Sequence, residues 1–140
     1  MNKILMISCG VLMMSSVAMA DETATETCAN GAGTVVIGAV TEHKYCMSKP
    51  QMNWWNAHAW CDALGLRMFD MNDCACSDTI DNCTGRNCPE LVGKGDKVIW
   101  TATPIGTDRA YNIILSSGGV QTHDIRSGAW GTFYALCVNP

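Results

Sequence analysis

The sequence predicts a small, disulfide-rich α+β domain in which one or two helices pack on a twisted antiparallel sheet. Three observations predict it. A segment with helical periodicity lies near the middle of the chain, and short apolar runs separated by Gly, Pro and Ser occur on both sides of it. Eight of the nine cysteines lie beyond residue 20. An even number of cysteines in a short exported chain is typical of a disulfide framework.

Residues 1–20 have the features of a secretory signal. Lys3 gives a positive start, residues 4–14 form an apolar run, and Ala18-Met19-Ala20 is a cleavage site of the A-x-A type. Residues 21–27 are polar and acidic, and we expect a flexible N-terminal segment there. Residues 28–140 then form the domain. We expect it to be exported to the periplasm, the cell surface or the medium.

The charge of the remaining chain argues against two classes of partner. Removing the signal leaves 140 − 20 = 120 residues, with 9 − 1 = 8 Lys and Arg against 13 Asp and Glu, a net charge of −5. No Lys/Arg cluster occurs, so we expect no nucleic-acid partner and no binding to anionic membrane. No later apolar run is long enough for a membrane span.

Residues 50–64 have the clearest helical period. Trp54, Ala57, Cys61 and Leu64 recur at i, i+3, i+7 and i+10, which places them on one helix face. We expect this face in the core, and Trp100 opposite it in a buried strand. Further features predict the ends and the coverage of the helix: Pro50 in the first turn, Ser48 as N-cap, Gly65 as the C-terminal stop, and Trp55 and Trp60 covering a second side.

The strands are predicted from short apolar runs between turn residues. Residues 72–97 differ because they carry four cysteines, five acids and few large apolar groups. Disulfides must therefore hold them as a long loop, with a short helix expected near residues 77–82. The predicted strands are 34–37 and 45–47 as a hairpin, 68–71, 98–103 closed by Pro104, 110–115 and 120–125 as a second hairpin, and 132–138.

The pattern Trp54-x-x-Ala57-x-x-x-Cys61-x-x-x-Gly65-x-x-Met68 resembles the first-helix signature of the C-type lectin-like domain. The resemblance covers about residues 28–138 and implies a bacterial, exported member of that fold. Trp100 matches the family's core Trp. The resemblance also implies a Cys61–Cys137 disulfide between the first helix and the last strand, and a Cys28–Cys46 disulfide at the N-terminal hairpin, as in the family's long form.

The calcium-binding motifs of sugar-binding members are missing from this chain. Neither Glu-Pro-Asn, Gln-Pro-Asp nor Trp-Asn-Asp occurs. The nearest strings, at residues 103–105 and 128–131, lack the carboxylate and amide oxygens that calcium requires. The family's second common disulfide also has no partner, because no cysteine lies between Cys88 and Cys137. Calcium-dependent sugar binding is therefore not expected, and no cofactor or metal is predicted.

The remaining four cysteines form a separate cluster in the 72–97 loop. Their spacing fits a zinc site poorly, because zinc ribbons prefer two C-x-x-C pairs, and two disulfides are the preferred interpretation. Three pairings are possible, of which Cys74–Cys76 would be strained. The cluster consists of Cys74, Cys76, Cys83 and Cys88.

Two other groups of residues have side chains of the types found in calcium-binding or catalytic sites. A calcium site among the loop acids lacks the D-x-D-x-D-G order, and scattered loop acids are usually solvated. A His–Asp pair or a Ser–His–Asp set would suggest catalysis, but nothing in the sequence brings those residues together and no G-x-S-x-G elbow occurs. The groups are Asp70, Asp73, Asp78 and Asp81 for calcium, and His58 with Asp62 or His123 with Asp124, Ser116 and Ser117 for catalysis.

We expect a non-catalytic domain that recognises a protein or glycan through its loops, without calcium. The expected surface combines the 72–97 loop with the 104–109 and 126–132 turns, and its candidate residues are Asp108, Arg109, Arg126 and Trp130. Trp130 has a second interpretation, as a lid over the core. The alternative function is a structural or minor subunit of a surface appendage, bound through a sheet edge. An enzymatic alternative follows from the sulfatase-activating oxidases, which share the fold, but their catalytic cysteine pair has no match here.

Overall fold

In the computed structural model, which describes Cys28 and residues 33–76, 87–126 and 131–139, the chain forms one α-helix and one sheet. The predicted α+β class is confirmed. The helix α1 spans Trp54–Ala63. The strands are β1 (Gly33–Ile37), β2 (Lys44–Met52), β3 (Arg67–Met68), β4 (Val98–Ile105), β5 (Arg109–Ile114), β6 (Gly119–Asp124) and β7 (Phe133–Val138). Residues 1–27, with the predicted signal and lead-in, and residues 77–82, with the predicted short helix, lie outside the described residues.

The sheet is mixed rather than antiparallel as predicted, because one of its strand pairs, β4–β7, is parallel. Its order is β1-β2-β7-β4-β5-β6, and β3 also pairs with β7. The two predicted hairpins, β1–β2 and β5–β6, are antiparallel. However, β7 pairs in parallel with β4 at Ile99 and Tyr134. Although β7 follows β6 in the chain, it lies between β2 and β4 in the sheet and runs in the same direction as β4.

The helix begins later than predicted, at Trp54. Asn53 is its N-cap, and the Asn53 side chain accepts a hydrogen bond of 2.8 Å from the Asn56 amide. Pro50 lies inside β2, next to a register irregularity where a missing N–H is tolerated. Ser48 is not a cap, because its Oγ donates to the Pro50 carbonyl and accepts from the Ala135 amide of β7. Gly65 follows the helix at φ +74°, the predicted left-handed stop.

Two other predicted elements also have different bounds. The strand predicted at 68–71 is the short β3, followed by a 3₁₀ helix over Met71–Cys74. Asp70 begins that helix with a capping box, because its side chain accepts from the Asn72 amide while the Asp73 side chain accepts from the Asp70 amide. Pro104, predicted to close β4, lies within it, since the strand continues to Ile105.

Apolar side chains are buried on both faces of the sheet. On β4, Ile99 lies in one core and Trp100 in the other, and β7 alternates in the same way. The core beneath α1 contains Trp54, Ala57 and Trp100, all buried, whereas Leu64 is only partly buried and packs at its margin.

Three disulfides join described cysteines. Cys28–Cys46 and Cys61–Cys137 are the two pairs that the resemblance implies, and the second joins α1 to β7. Cys74–Cys88 closes the long loop. Cys76 is also disulfide-bonded, and Cys83 lies outside the described residues.

A buried carboxylate holds the end of the long loop against the β1–β2 turn. Glu90 is fully buried, and its carboxylate accepts hydrogen bonds from the Val40 and Thr41 amides at 2.8 and 2.9 Å and from the Tyr45 hydroxyl at 2.5 Å. The Thr41 hydroxyl donates a further hydrogen bond. Gly38 provides the space, because a Cβ there would lie 2.4 Å from the Glu90 carboxyl carbon.

These bonds fix the ionisation of the carboxyl. Burial acts to raise the pKa of Glu90, but the hydrogen bonds from Thr41, Tyr45 and the Val40 amide outweigh burial and hold that pKa below its ordinary value. Burial and the hydrogen bond to Glu90 raise the pKa of Tyr45, so its hydroxyl remains a donor. Glu90 is therefore an ionised group that links the loop to the hairpin.

Glu90→Gln should lower the free energy of unfolding by about 2–3 kcal/mol at neutral pH, because buried donors lose a charged acceptor. A carboxyl whose pKa is depressed by folding stabilises the fold above its unfolded pKa of about 4.3 and stops doing so as the pH falls through the folded pKa. Urea unfolding between pH 7 and pH 3 should therefore show a steeper loss of stability for the parent than for Glu90→Gln. Equal losses of stability in the two proteins would contradict the role of Glu90 as an ionised, stabilising acceptor.

Candidate functional site

Three of the four residues predicted to bind a ligand lie together at one end of the β5–β6 hairpin. Arg109 of β5 lies opposite Asp124 of β6, and the Ile125 amide donates a 2.9 Å hydrogen bond to the Asp108 carbonyl. Asp108, Arg109 and Arg126 are exposed. The fourth predicted residue, Trp130, lies outside the described residues.

Two arginines at this end are held by neighbouring acceptors. The Arg126 Nε donates to both Asp124 carboxylate oxygens at 2.9 and 3.0 Å, and the Arg126 Nη2 donates to the same group. The Arg109 Nη2 donates to the Thr122 Oγ1 at 2.8 Å and to the Thr122 carbonyl at 3.1 Å. Both guanidinium groups thus have defined positions while remaining at the surface.

The opposite charges at this end of the hairpin stabilise each other's ionised forms. Hydrogen bonds from Arg126, together with the charges of Arg126 and Arg109, lower the pKa of Asp124 to about 2. The hydrogen bond to Asp124 and the charges of Asp124 and Asp108 raise the pKa of Arg126. Asp124 and Arg126 therefore form an ion pair at neutral pH, and with Asp108 and Arg109 the formal charges at this end sum to zero.

Trp55 adds an exposed aromatic ring to this end of the hairpin. Its Nε1 donates a 2.8 Å hydrogen bond to the Ile125 carbonyl, and its ring meets Trp54 edge-on with centroids 4.7 Å apart. The residue nevertheless remains 57% exposed. We call the set Trp55, Asp108, Arg109, Asp124 and Arg126 the hairpin-end surface.

The sequence prediction missed Trp55 as a surface residue, because it assigned both Trp55 and Trp60 to a covered side of the helix. Trp60 is partly buried, in agreement with that prediction, but Trp55 is not. Consecutive helical residues lie about 100° apart, so Trp55 cannot face the sheet when Trp54 does. Its position directly after the first residue of the buried face is the signal that could have identified it.

The candidate catalytic residues His58, Ser117 and His123 make packing contacts or hydrogen bonds within the fold. The His123 ring packs against Trp100 and Phe133, with centroids 5.9 and 5.1 Å away. The Ser117 Oγ accepts from the Gly119 amide in the hairpin turn. His58 packs edge-on against Trp54, and burial lowers its pKa despite the opposing charge of Asp62.

Two of the four candidate calcium ligands, Asp70 and Asp73, are engaged by neighbouring groups. Asp73 accepts two 2.7 Å hydrogen bonds from the Arg67 guanidinium, and Asp70 caps the 3₁₀ helix. Asp78 and Asp81 lie outside the described residues. Within the described ranges, no group of three or more His, Cys, Asp or Glu side chains could hold a metal ion.

Comparison of the chain with protein-family models, curated proteins and solved structures gives no match in any of the three. Among the described segments, no helix has the length and apolarity needed to cross a membrane.

The two neighbouring tryptophans should respond very differently to truncation. Trp54→Ala removes a buried ring and should cost about 3–5 kcal/mol of unfolding free energy. Trp55→Ala removes an exposed ring and one hydrogen bond, and should cost about 1 kcal/mol or less. Denaturant titrations of both variants test this difference, and similar costs would show that the Trp55 ring is packed in the core.

Proposed function

We propose that the chain is an exported, non-catalytic recognition domain of the C-type lectin-like type, which binds a protein or glycan surface without calcium. The hairpin-end surface carries this proposal, because it presents an exposed Trp and two positioned Arg side chains on a disulfide-linked scaffold. Trp and Arg are enriched among the residues that contribute most to protein binding.

The order of helix, strands and disulfides supports the C-type lectin-like assignment. The signature residues Trp54, Ala57 and Cys61 lie on the buried face of α1, and Cys61 is bonded to the last strand. The Cys28–Cys46 disulfide accompanies the β1–β2 hairpin, as in the family's long form. Three disulfides between described cysteines, with Cys76 also disulfide-bonded, support export to an oxidising compartment.

A protein is the partner that the surface favours over a glycan. Its two arginines and two aspartates give no net charge, so a strongly anionic or cationic partner gains little from it. Local hydrogen bonds already restrict Arg109, Arg126 and Trp55, which lowers the entropy cost of forming a contact. Such side chains suit a partner with its own mixture of apolar and charged groups.

Site-specific photocrosslinking in the producing cell tests this proposal. A photoreactive residue at exposed Thr107, beside the hairpin-end surface, should crosslink to one partner, and the same residue at exposed Glu42 on the β1–β2 turn is the matched control. Trp55→Ala should reduce the crosslinked yield at least about tenfold, a typical hot-spot effect. Chelation of calcium should leave the yield unchanged.

Protease or glycosidase sensitivity of the crosslinked product identifies the partner as protein or glycan. Equal yields from positions 107 and 42, or a yield that Trp55→Ala leaves unchanged, would overturn the assignment of the surface. Loss of the crosslink on chelation would overturn calcium independence.

One observation favours the second candidate, a structural subunit bound through a sheet edge. Gly38 donates to the His43 carbonyl, so by the alternation of antiparallel pairs the N–H and C=O groups of Val35 and Ile37 point away from β2. Among the described residues no strand pairs with this side of β1. Ile37 and Val40 nearby are 48% and 57% exposed.

The oligomeric state separates the two candidates. A recognition domain should be a monomer by light scattering at micromolar concentration, whereas edge pairing should give assemblies that Ile37→Lys disperses, because a charged edge opposes strand addition. Val92→Lys, at an exposed apolar residue outside β1, is the matched control.

A further inference from the structure

A polar cleft opens where the end of β2 meets the beginnings of β4 and β7. Its volume is about 290 Å³, and the polar side chains that line it are Gln51, Asp96, Lys97, Thr132 and Tyr134. This volume lies at the small end of the range for ligand pockets, so the cleft suits a single residue or sugar unit rather than an extended ligand. It shares no residue with the hairpin-end surface.

Side chains across the β2–β7 pair form a hydrogen-bond chain along one wall. The Thr132 hydroxyl donates to the Gln51 Oε1 at 3.1 Å, and the Gln51 Nε2 donates a long hydrogen bond of 3.5 Å to the Tyr134 hydroxyl oxygen. Because the Tyr134 oxygen acts as acceptor in this chain, its own O–H is available as a donor. The wall therefore presents the Tyr134 O–H to the cleft as a donor.

Lys97 supplies a positive charge above the same wall. Its Nζ lies 5.0 Å from the centre of the Tyr134 ring, within cation–π distance. Among the described residues, none of the salt bridges involves Lys97. The ammonium is thus positioned by an aromatic ring and retains its hydrogen-bond donors for a ligand.

Asp96 places a carboxylate in the same cleft as the Lys97 and Tyr134 donors. A carboxylate there repels a simple anion but accepts a hydrogen bond from an N–H or O–H group next to the anion. The lining therefore favours a ligand that carries an anionic group with an N–H or O–H donor beside it over a ligand that carries only an anion.

We propose that this cleft binds a carboxylate that has an N–H or O–H donor beside it. Lys97 and the Tyr134 hydroxyl hold the carboxylate, and Asp96 accepts from the neighbouring donor. A peptide C-terminus, with its last amide, and an acidic sugar, with its ring hydroxyls, both have this chemistry. The site is independent of the proposed function, since it uses other residues and another class of contact.

Amide chemical shifts of the full exported protein provide the test. N-acetylglycine and glucuronate are the carboxylate probes, and N-acetylglycinamide and glucose are their neutral counterparts. We expect saturable shifts at residues 51, 96–98 and 132–134 with one or both carboxylates and with neither neutral probe. The more strongly bound carboxylate identifies the source as peptide or sugar. Shifts that are equal for charged and neutral probes, or that lie elsewhere, overturn the proposal.

Three variants and one control test the contacts. Lys97→Gln and Tyr134→Phe should each weaken binding of the carboxylate probe at least about fivefold, since each removes one donor to a charged group. Lys94→Gln, a nearby lysine outside the cleft lining, should leave the affinity unchanged. Asp96→Asn should strengthen binding of acetate, which has no neighbouring donor. Unchanged affinity in Lys97→Gln and Tyr134→Phe, with native spectra, overturns the proposal.

Discussion

The Cys61–Cys137 disulfide joins the only strand that pairs with three others in the described sheet to the helix that covers it. Cys137 lies on β7, which contacts β2, β3 and β4, and Cys61 lies in the middle of the buried face of α1. Both cysteines are almost fully buried. A covalent link at this point holds α1 against β7, and the placement of α1 in turn sets the position of Trp55.

Three indole N–H groups add hydrogen bonds that join parts of the chain in the core on the helix side of the sheet. The Nε1 atoms of Trp54 and Trp100 donate to the carbonyls of Thr101 and Met52, and Trp55 donates to Ile125, all at 2.8–2.9 Å. Each bond crosses from one element to another and satisfies a polar atom of a large apolar side chain. The hairpin-end surface is thus connected to the core through the helix, and the rigidity of the scaffold lowers the entropy that a partner contact would lose.

Local sequence patterns were sufficient to predict the buried helix face and the β5–β6 hairpin, because the residues that indicate each of them lie close together in the chain. They failed where tertiary contacts decide the structure. The Ser48 hydroxyl bonds to β7 rather than to a helix, and the parallel pairing of β4 with β7 joins strands that are distant in the sequence. Glu90 could not be identified because its partner Thr41 is 49 residues away. At the surface, the exposure of Asp108, Arg109 and Arg126 was predictable from their turns. The exposure of Trp55 was predictable from its place beside the buried helix face, but its hydrogen bond to Ile125 depends on how α1 packs.

Disulfide mapping of the exported protein, by digestion without reduction and mass spectrometry, tests the central claim most directly. The account predicts peptides that join Cys61 to Cys137 and Cys28 to Cys46. These links would establish the arrangement of helix and last strand that presents the hairpin-end surface. A Cys61 peptide joined instead to the cluster at residues 74–88 would contradict that arrangement, and with it the proposed recognition surface.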